Sequence, residues 1–264
     1  MIMAALHVHS TFSDGEFTLR ELREKFISAG CGLIGMADHA DAFDIDKTRR
    51  YVSECEQLSD NRLRFLPGLE FGCIQRMHIV GFGVTSLIES TDPATVIAHI
   101  RANGGVAVIA HPPDQLFELI ERLDLLPDGI EGWNSKYDGR YAPRPATFEL
   151  ILRLRARQPA LHAFYGQDLH WRKQYAGLFN MLDVPRAERP MVLEALRGGA
   201  FEGSAAALHL PSSGHLAAEQ IEDFARVNAR SQRVRSALRS ARQMMGGAFA
   251  LLPAPLKAHL RRFF

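Results

Sequence analysis

The chain of 264 residues is short of cysteine and lysine, and it has no long apolar run. Its cysteines, Cys31, Cys55 and Cys73, number three and show no CxxC spacing. They read as reduced thiols, and a disulfide-built mini-protein is excluded. The opening MIMAALHVHS lacks a basic segment followed by an apolar one. No secretory signal is therefore expected, and with reduced thiols this predicts a cytoplasmic location. A membrane-spanning helix needs about 18 apolar residues. The best stretch, Met244 to Pro255, is short and broken by glycines and prolines. Acidic residues are missing from the end: none follows Asp223. Residues 224–264 carry nine Arg and Lys, which leaves 22 basic against 30 acidic residues before them, a net of −8. No internal repeat or low-complexity tract is visible. What is present, 47% hydrophobic and 23% charged residues, is the composition of a large folded core and excludes disorder and collagen.

Short apolar runs alternate with helical patterns. Ala4–Val8, Gly32–Ala37, Leu63–Phe71, His78–Phe82, Val106–Ala110, Gly129–Trp133 and Leu161–Tyr165 read as strands. Helices are predicted over Thr18–Ala29, with a Thr18/Glu21 capping box, and over Asp46–Leu58, Asp92–Asn103, Asp114–Leu123 and Pro145–Arg157. Gly198–Gly214 reads as irregular connection, and Ile221–Met245 as a long basic helix. Alternating βα units predict a parallel sheet, and their number suits a barrel better than an open sheet.

Histidine and acidic residues gather at the ends of those strands. His7 and His9 stand two apart, so both rings project from one face of a strand. Asp14 follows in a Ser-Asp-Gly loop. Asp38 and His39 end the second strand, and Glu70 ends the third. His78 opens the next segment, His111 closes VAVIA, and Asp168 and His170 close the last body strand. His99, His162, His209, His215 and His259 fall outside the pattern. A lone strand-end histidine is ordinarily a hydrogen-bonded structural residue, but this joint recurrence points to bound metal.

The ordered set HxH, SDG, DH, GLE, an isolated His, AHP and GxDxH, from Leu6 to His170, resembles the polymerase-and-histidinol-phosphatase (PHP) family of phosphoesterases, in its SDG-containing branch. The resemblance implies a distorted (β/α)7 TIM-like barrel over residues 1–223, with a basic helical extension over 224–264. It implies up to three divalent ions. One site would use His7, His9, Glu70 and Asp168. A second would share Glu70 with His78 and His111. A third would use Asp14, His39 and His170. Two positions depart from the family pattern: Gln167 replaces the usual Ser of GSDxH, and Ala37 the usual Thr before Asp-His. Neither is a ligand. Asp14 stands where other branches carry His.

Such a site keeps excess positive charge and suits an anionic phosphate ester, small metabolite or nucleotide, hydrolysed by a metal-bridging hydroxide. Mixed His and carboxylate donors suit Zn, Mn or Fe. Asp38 is a candidate for orienting a ligand or passing a proton. Arg172 and Lys173 are candidates for clamping phosphate, with Arg172 nearest the chemistry. Asn134, Lys136 and Arg140 follow another strand at the same face and are further substrate-binding candidates. Glu131 and Asn134 match the family's E-x-x-N. Trp133 or Trp171 would either stack on a base or pack. Two other functions compete. An amidohydrolase also begins with HxH, but none of the five lysines closes a predicted strand. The other is a non-catalytic, metal-bound regulatory domain. No basic stripe crosses the body, so long nucleic acid is not expected as a partner. The basic tail would pack on the acidic body, join a partner or touch an anionic membrane, with packing favoured. The sequence assigns no oligomeric state.

Overall fold

A computed structural model describes residues 1–230 together with 233 and 234. The strands are β1 (Ile2–Val8), β2 (Leu33–Met36), β3 (Asp38–His39), β4 (Arg64–Leu66), β5 (Gly68–Gly72), β6 (His78–Phe82), β7 (Val106–Ala110), β8 (Gly129–Asn134), β9 (His162–Gly166), β10 (Phe179–Leu182), β11 (Phe201–Ala205) and β12 (Leu208–Pro211). The helices are α1 (Leu19–Ser28), α2 (Ile45–Leu58), α3 (Pro93–Ala102), α4 (Phe117–Glu121), α5 (Pro145–Arg155) and α6 (Arg189–Gly198), followed by a helix over 218–230. Among the described residues, no helix is long and apolar enough to cross a membrane.

Helices α1 and α3 begin at the caps expected from the sequence, whereas α2 is capped by Asp44 and not by the expected Asp46. The Thr18 hydroxyl accepts from the Glu21 amide, and the Glu21 carboxylate accepts from the Thr18 amide. Asp44 caps α2 and Asp92 caps α3, the latter followed by Pro93 in the first turn. Helix α1 then buries Leu19, Leu22 and Phe26 on one face. Each such side chain stabilises the fold by about 1.5–3 kcal/mol.

The strands form two six-stranded mixed sheets, ordered β12-β11-β10-β1-β2-β4 and β3-β5-β6-β7-β8-β9. This corrects the expectation of an all-parallel sheet. The connection from β5 to β6 spans only residues 73–77, too short for a crossover, so the two strands pair antiparallel. Strand β6 also runs antiparallel to β7, and β10 to β1. The sheets approach each other where residues 167–169 follow β9. Gln167 donates its amide to Leu6 O, and His9 donates to Leu169 O. Residues 198–214, expected to be irregular, instead hold the β11–β12 hairpin. Its alternation, with Phe201, Gly203 and Ala205 buried between half-exposed neighbours, is that of a strand with one wet face.

The basic helix is present over 218–230, and residues 235–245 of its expected span lie outside the described residues, as does the rest of the tail. Phe224 is buried in the main core, and Asn228 donates its amide to Pro143 O at 2.5 Å. Val227 and Val234 are exposed.

Candidate metal centre

Glu70, 1% exposed, is the junction of the site; it lies in the middle of β5 rather than at the strand end expected from the sequence. Its Oε2 lies 3.2 Å from His39 Nδ1, 3.5 Å from His9 Nε2 and 3.6 Å from His7 Nε2. Its Oε1 lies 3.0 Å from His78 Nδ1 and 3.2 Å from His111 Nε2. The reversed direction of β6 brings His78 there: it begins its strand opposite Gly72 and Ala110, at the ends of β5 and β7.

Asp168 is the second junction. Its Oδ1 is 3.0 Å from His170 Nδ1 and 3.6 Å from His9 Nε2, and its Oδ2 is 3.6 Å from His111 Nε2. Asp14, half exposed, places Oδ2 3.2 Å from His170 Nε2 and 3.7 Å from His39 Nε2, and Oδ1 3.6 Å from His9 Nδ1. All nine candidate ligands therefore meet at one mouth. Among the described residues three groups have donor atoms within 4.8 Å of one another: His7, His9 and Asp168; His7, Glu70 and His111; and His9, Asp14, His39 and His170. His9 thus turns toward the Asp14 group as well as toward His7.

The backbone is unusual at this mouth. His7, His111 and Asp168 all have positive φ, at 61°, 31° and 48°. Non-glycine residues adopt that region at an energetic cost, and such strain collects at functional sites. At His7 the strain accompanies a register shift against β2, between Leu6 and Val8. Gly15 of the SDG loop folds onto the backbone of His9, where a Cβ would meet its carbonyl oxygen at 2.6 Å.

The surrounding residues hold these ligands in place. His7 Nδ1 donates to Glu131 Oε1 at 2.7 Å, so Nε2 is left to face the centre. The other Glu131 oxygen accepts from the His111 amide and from Asn134 Nδ2. Gln174 donates to Asp168 O and accepts from the His170 amide, bracing the strained turn. Asp38, fully buried, accepts from Ser10 and Ser13 and thereby fixes the loop that presents Asp14. Sequence reasoning gave no role to Ser10, Ser13 or Gln174. Nothing marks them except polarity: Ser10 and Ser13 meet a partner 28 and 25 residues away, and the contacts of Gln174 depend on the fold of the turn that holds Asp168 and His170.

Burial and neighbouring charges compete at several groups here. Burial pushes Glu70 and Asp168 up, but His7 and the histidines bonded to them hold both well below the usual carboxylate range. Burial pushes His7 down, but Glu131, Asp168 and Glu70 raise it above the usual value. His9 stays below the usual value, because burial outweighs Glu70. Asp38 is raised by burial against its serine hydrogen bonds.

This donor set fits divalent ions. His9 Nδ1 is buried with no hydrogen-bond partner. His7 Nε2 and His9 Nε2 face each other at 3.1 Å, ring nitrogen to ring nitrogen, and carboxylate oxygens aim at the same space. Buried polar groups arranged this way call for a cation between them.

Several substrate-binding expectations are corrected. The Arg172 guanidinium is drawn outward to Glu21 and to Glu16 O and lies over the Phe17 ring. Asn134 is fully buried, and its amide is committed to Glu131, with Asp168 Oδ2 at 3.4 Å. Asp38 meets serine donors rather than a ligand imidazole. Arg140 packs over Tyr141, and Lys173 is exposed. Trp133 is buried, with Nε1 bonded to Gly139 O, whereas Trp171 is half exposed. Lys136 is the candidate that reaches the centre, with Nζ 3.1 Å from Asp168 Oδ1 and 3.3 Å from His170 Nδ1.

Comparison with known proteins agrees with this geometry. A family model, the PHP domain, matches residues 5–166, more than half of the chain. No curated protein matches the chain. Among solved structures, the chain is similar to a two-domain protein from Bacteroides vulgatus containing a predicted PHP-like metal-dependent phosphoesterase. The TM-score is 0.56 at 15% identity, over 79% of this chain and 66% of that one, so the chain spans about two thirds of that protein. PsfC from Pseudomonas syringae gives a TM-score of 0.51 at 14% identity, over 90% of this chain and 98% of that one. An amidohydrolase from Chromobacterium violaceum, with bound sulfate and no metal, gives 0.49 at 18% identity, over 73% and 95%.

Proposed function

The chain belongs to the PHP domain family, and from that membership we propose that it is a metal-dependent hydrolase of phosphate esters, acting on a small phosphorylated metabolite or nucleotide. The observation that carries the reading is the convergence of nine histidine and acidic side chains on Glu70 and Asp168 at one mouth. His7, His9, Glu70 and Asp168 would hold one ion, and Glu70, His78 and His111 a second. Asp14, His39 and His170, with His9 beside them, would hold a third. Mixed nitrogen and oxygen donors suit Zn, Mn or Fe. Such ions supply Lewis acidity, attracting phosphoryl oxygens and acidifying water.

The protein's own groups do the rest. Glu131 fixes the tautomer and aim of His7, and Asp38 fixes the Asp14 loop. Lys136 supplies a positive charge beside Asp168, where an incoming phosphoryl oxygen meets it. No side-chain nucleophile is required. Glu70, a carboxylate, stands where the ligand groups meet, while Lys136 reaches only Asp168 and His170. This favours ester hydrolysis over C–N hydrolysis of the amidohydrolase type. The partner is a small phosphate ester rather than long nucleic acid.

The test is hydrolysis of p-nitrophenyl phosphate and bis-p-nitrophenyl phosphate by protein loaded with Mn, Zn or Fe. Chelator-sensitive hydrolysis of either ester is expected. Protein that holds its ions and cleaves neither ester would refute the reading.

A further inference from the structure

The two sides of the mouth differ in chemistry. On the His39 and His78 side a groove of about 1040 Å³ runs outward. Beyond the ligands its charged walls are Asp41 and Glu89, and no lysine or arginine lines it. On the opposite side, Lys136 Nζ sits 3.1 Å from Asp168 and between two rings, 5.4 Å from the centre of Tyr137 and 5.3 Å from that of Trp171. Both rings are 49% exposed, although they adjoin the buried Asp168 and His170. The Tyr137 ring is tilted against that of the ligand His111, with 4.5 Å between centres, and Trp171 lies 5.7 Å from the ligand His170. The cation and the rings are therefore tied to the metal ligands rather than scattered on the surface.

We infer that Trp171 is the platform on which a planar aromatic ring of the substrate's leaving group stacks, with Lys136 neutralising the phosphate between that ring and the metal centre. The inference rests on the phosphoesterase reading above. The cation meets the phosphoryl charge, while a flat ring covers an indole face that otherwise meets water. The acidic groove opposite repels a second phosphate, which leaves the Lys136 side for the anionic part of the substrate. The indole lies within one sugar's length of Asp168. The substrate class is thus a phosphate ester bearing a nucleobase-like or aryl ring, rather than a bare sugar phosphate.

The experiment compares adenosine 5′-monophosphate with ribose 5-phosphate, which differ only in the ring, on metal-loaded protein. Wild type should prefer the nucleotide in kcat/KM. Trp171→Leu should reduce that preference by about 5- to 150-fold, the range expected for one stacked base, and Trp171→Phe should restore most of it. Phenyl phosphate against glycerol phosphate then tells an aryl ring from a nucleoside. A second readout needs no turnover. The chain has two tryptophans, and Trp133 is wholly buried. Adenosine should therefore quench Trp171 emission to saturation, while ribose should not, and Trp171→Leu should abolish the quench. Equal use of both esters with no quench overturns the inference while leaving the phosphoesterase reading intact. If no ester is cleaved, the phosphoesterase reading fails, and the adenosine quench alone decides the ring platform.

Discussion

Glu131 Oε1 accepts a hydrogen bond from His7 Nδ1 at 2.7 Å, with both side chains buried, and so aims His7 Nε2 at the carboxylates of the metal centre. The pair depends on a third position. A Cβ at Gly166 would lie 1.7 Å from Glu131 Oε1.

Replacing Glu131 with Gln should release the tautomer of His7. Partners of ligating histidines typically cost 10- to 100-fold in metal affinity when removed, so a loss of about that size is expected. Gly166→Ala, which pushes the carboxylate aside, should reproduce it. Metal titration followed by elemental analysis measures both. An affinity unchanged in Glu131→Gln would mean that the pair only packs.

Glu70 touches five histidines and His78 touches one face of Glu70. Glu70→Ala should therefore lose more bound metal per chain than His78→Ala. Equal losses would show that Glu70 does not join the ligand groups.

Of two cations expected at the substrate, Lys136 reaches Asp168 while Arg172 bonds Glu21. A charge-assisted hydrogen bond contributes about 1.5–3 kcal/mol, so Lys136→Ala should lower kcat/KM for a phosphate ester by about 10- to 150-fold. Arg172→Ala should leave kcat/KM within about twofold, because its guanidinium serves Glu21 and Glu16 on the surface. Steady-state kinetics on the two variants decides. The reverse pattern would return Arg172 to the site.

The same Arg172–Glu21 contact predicts a pH effect on stability. Hydrogen bonds from the Thr18 amide, and then from Arg172 and the Thr18 hydroxyl, hold Glu21 at about 2 instead of the usual 4.5. A depressed carboxylate stabilises the fold above its unfolded value, and that contribution is lost as pH falls through the folded one. Urea midpoints of wild type and Glu21→Gln should therefore differ above pH 5 and converge toward pH 2. A constant difference across that window would show that the carboxylate charge is not what Glu21 contributes to the α1 cap.

Much of the centre is legible in the sequence. Most ligands are His or acidic residues beside a strand end, with Glu70 inside β5 and Asp14 in a loop, and strand ends are readable because apolar runs stop abruptly, as VAVIA does before His111. The caps Thr18, Asp44 and Asp92 act within their own first turn, so local sequence suffices to place α1, α2 and α3. The β11–β12 hairpin escapes such a reading because Gly, Ala and Ser dominate it, and small residues carry little periodic signal.

The sequence by itself determined which residue types stand at the mouth and in what order, because metal chemistry restricts them to imidazole and carboxylate. Only the tertiary structure decided their directions. Strand β6 turned back because five residues cannot cross over, and that reversal delivered His78 to Glu70. Positive φ at His7, His111 and Asp168 accompanies contacts between remote segments, such as His7 with Glu131 and the Leu169 amide with His7 O. Lys136 points inward and Arg172 outward because their partners, Asp168 for one and Glu21 for the other, are set by packing between remote parts of the chain.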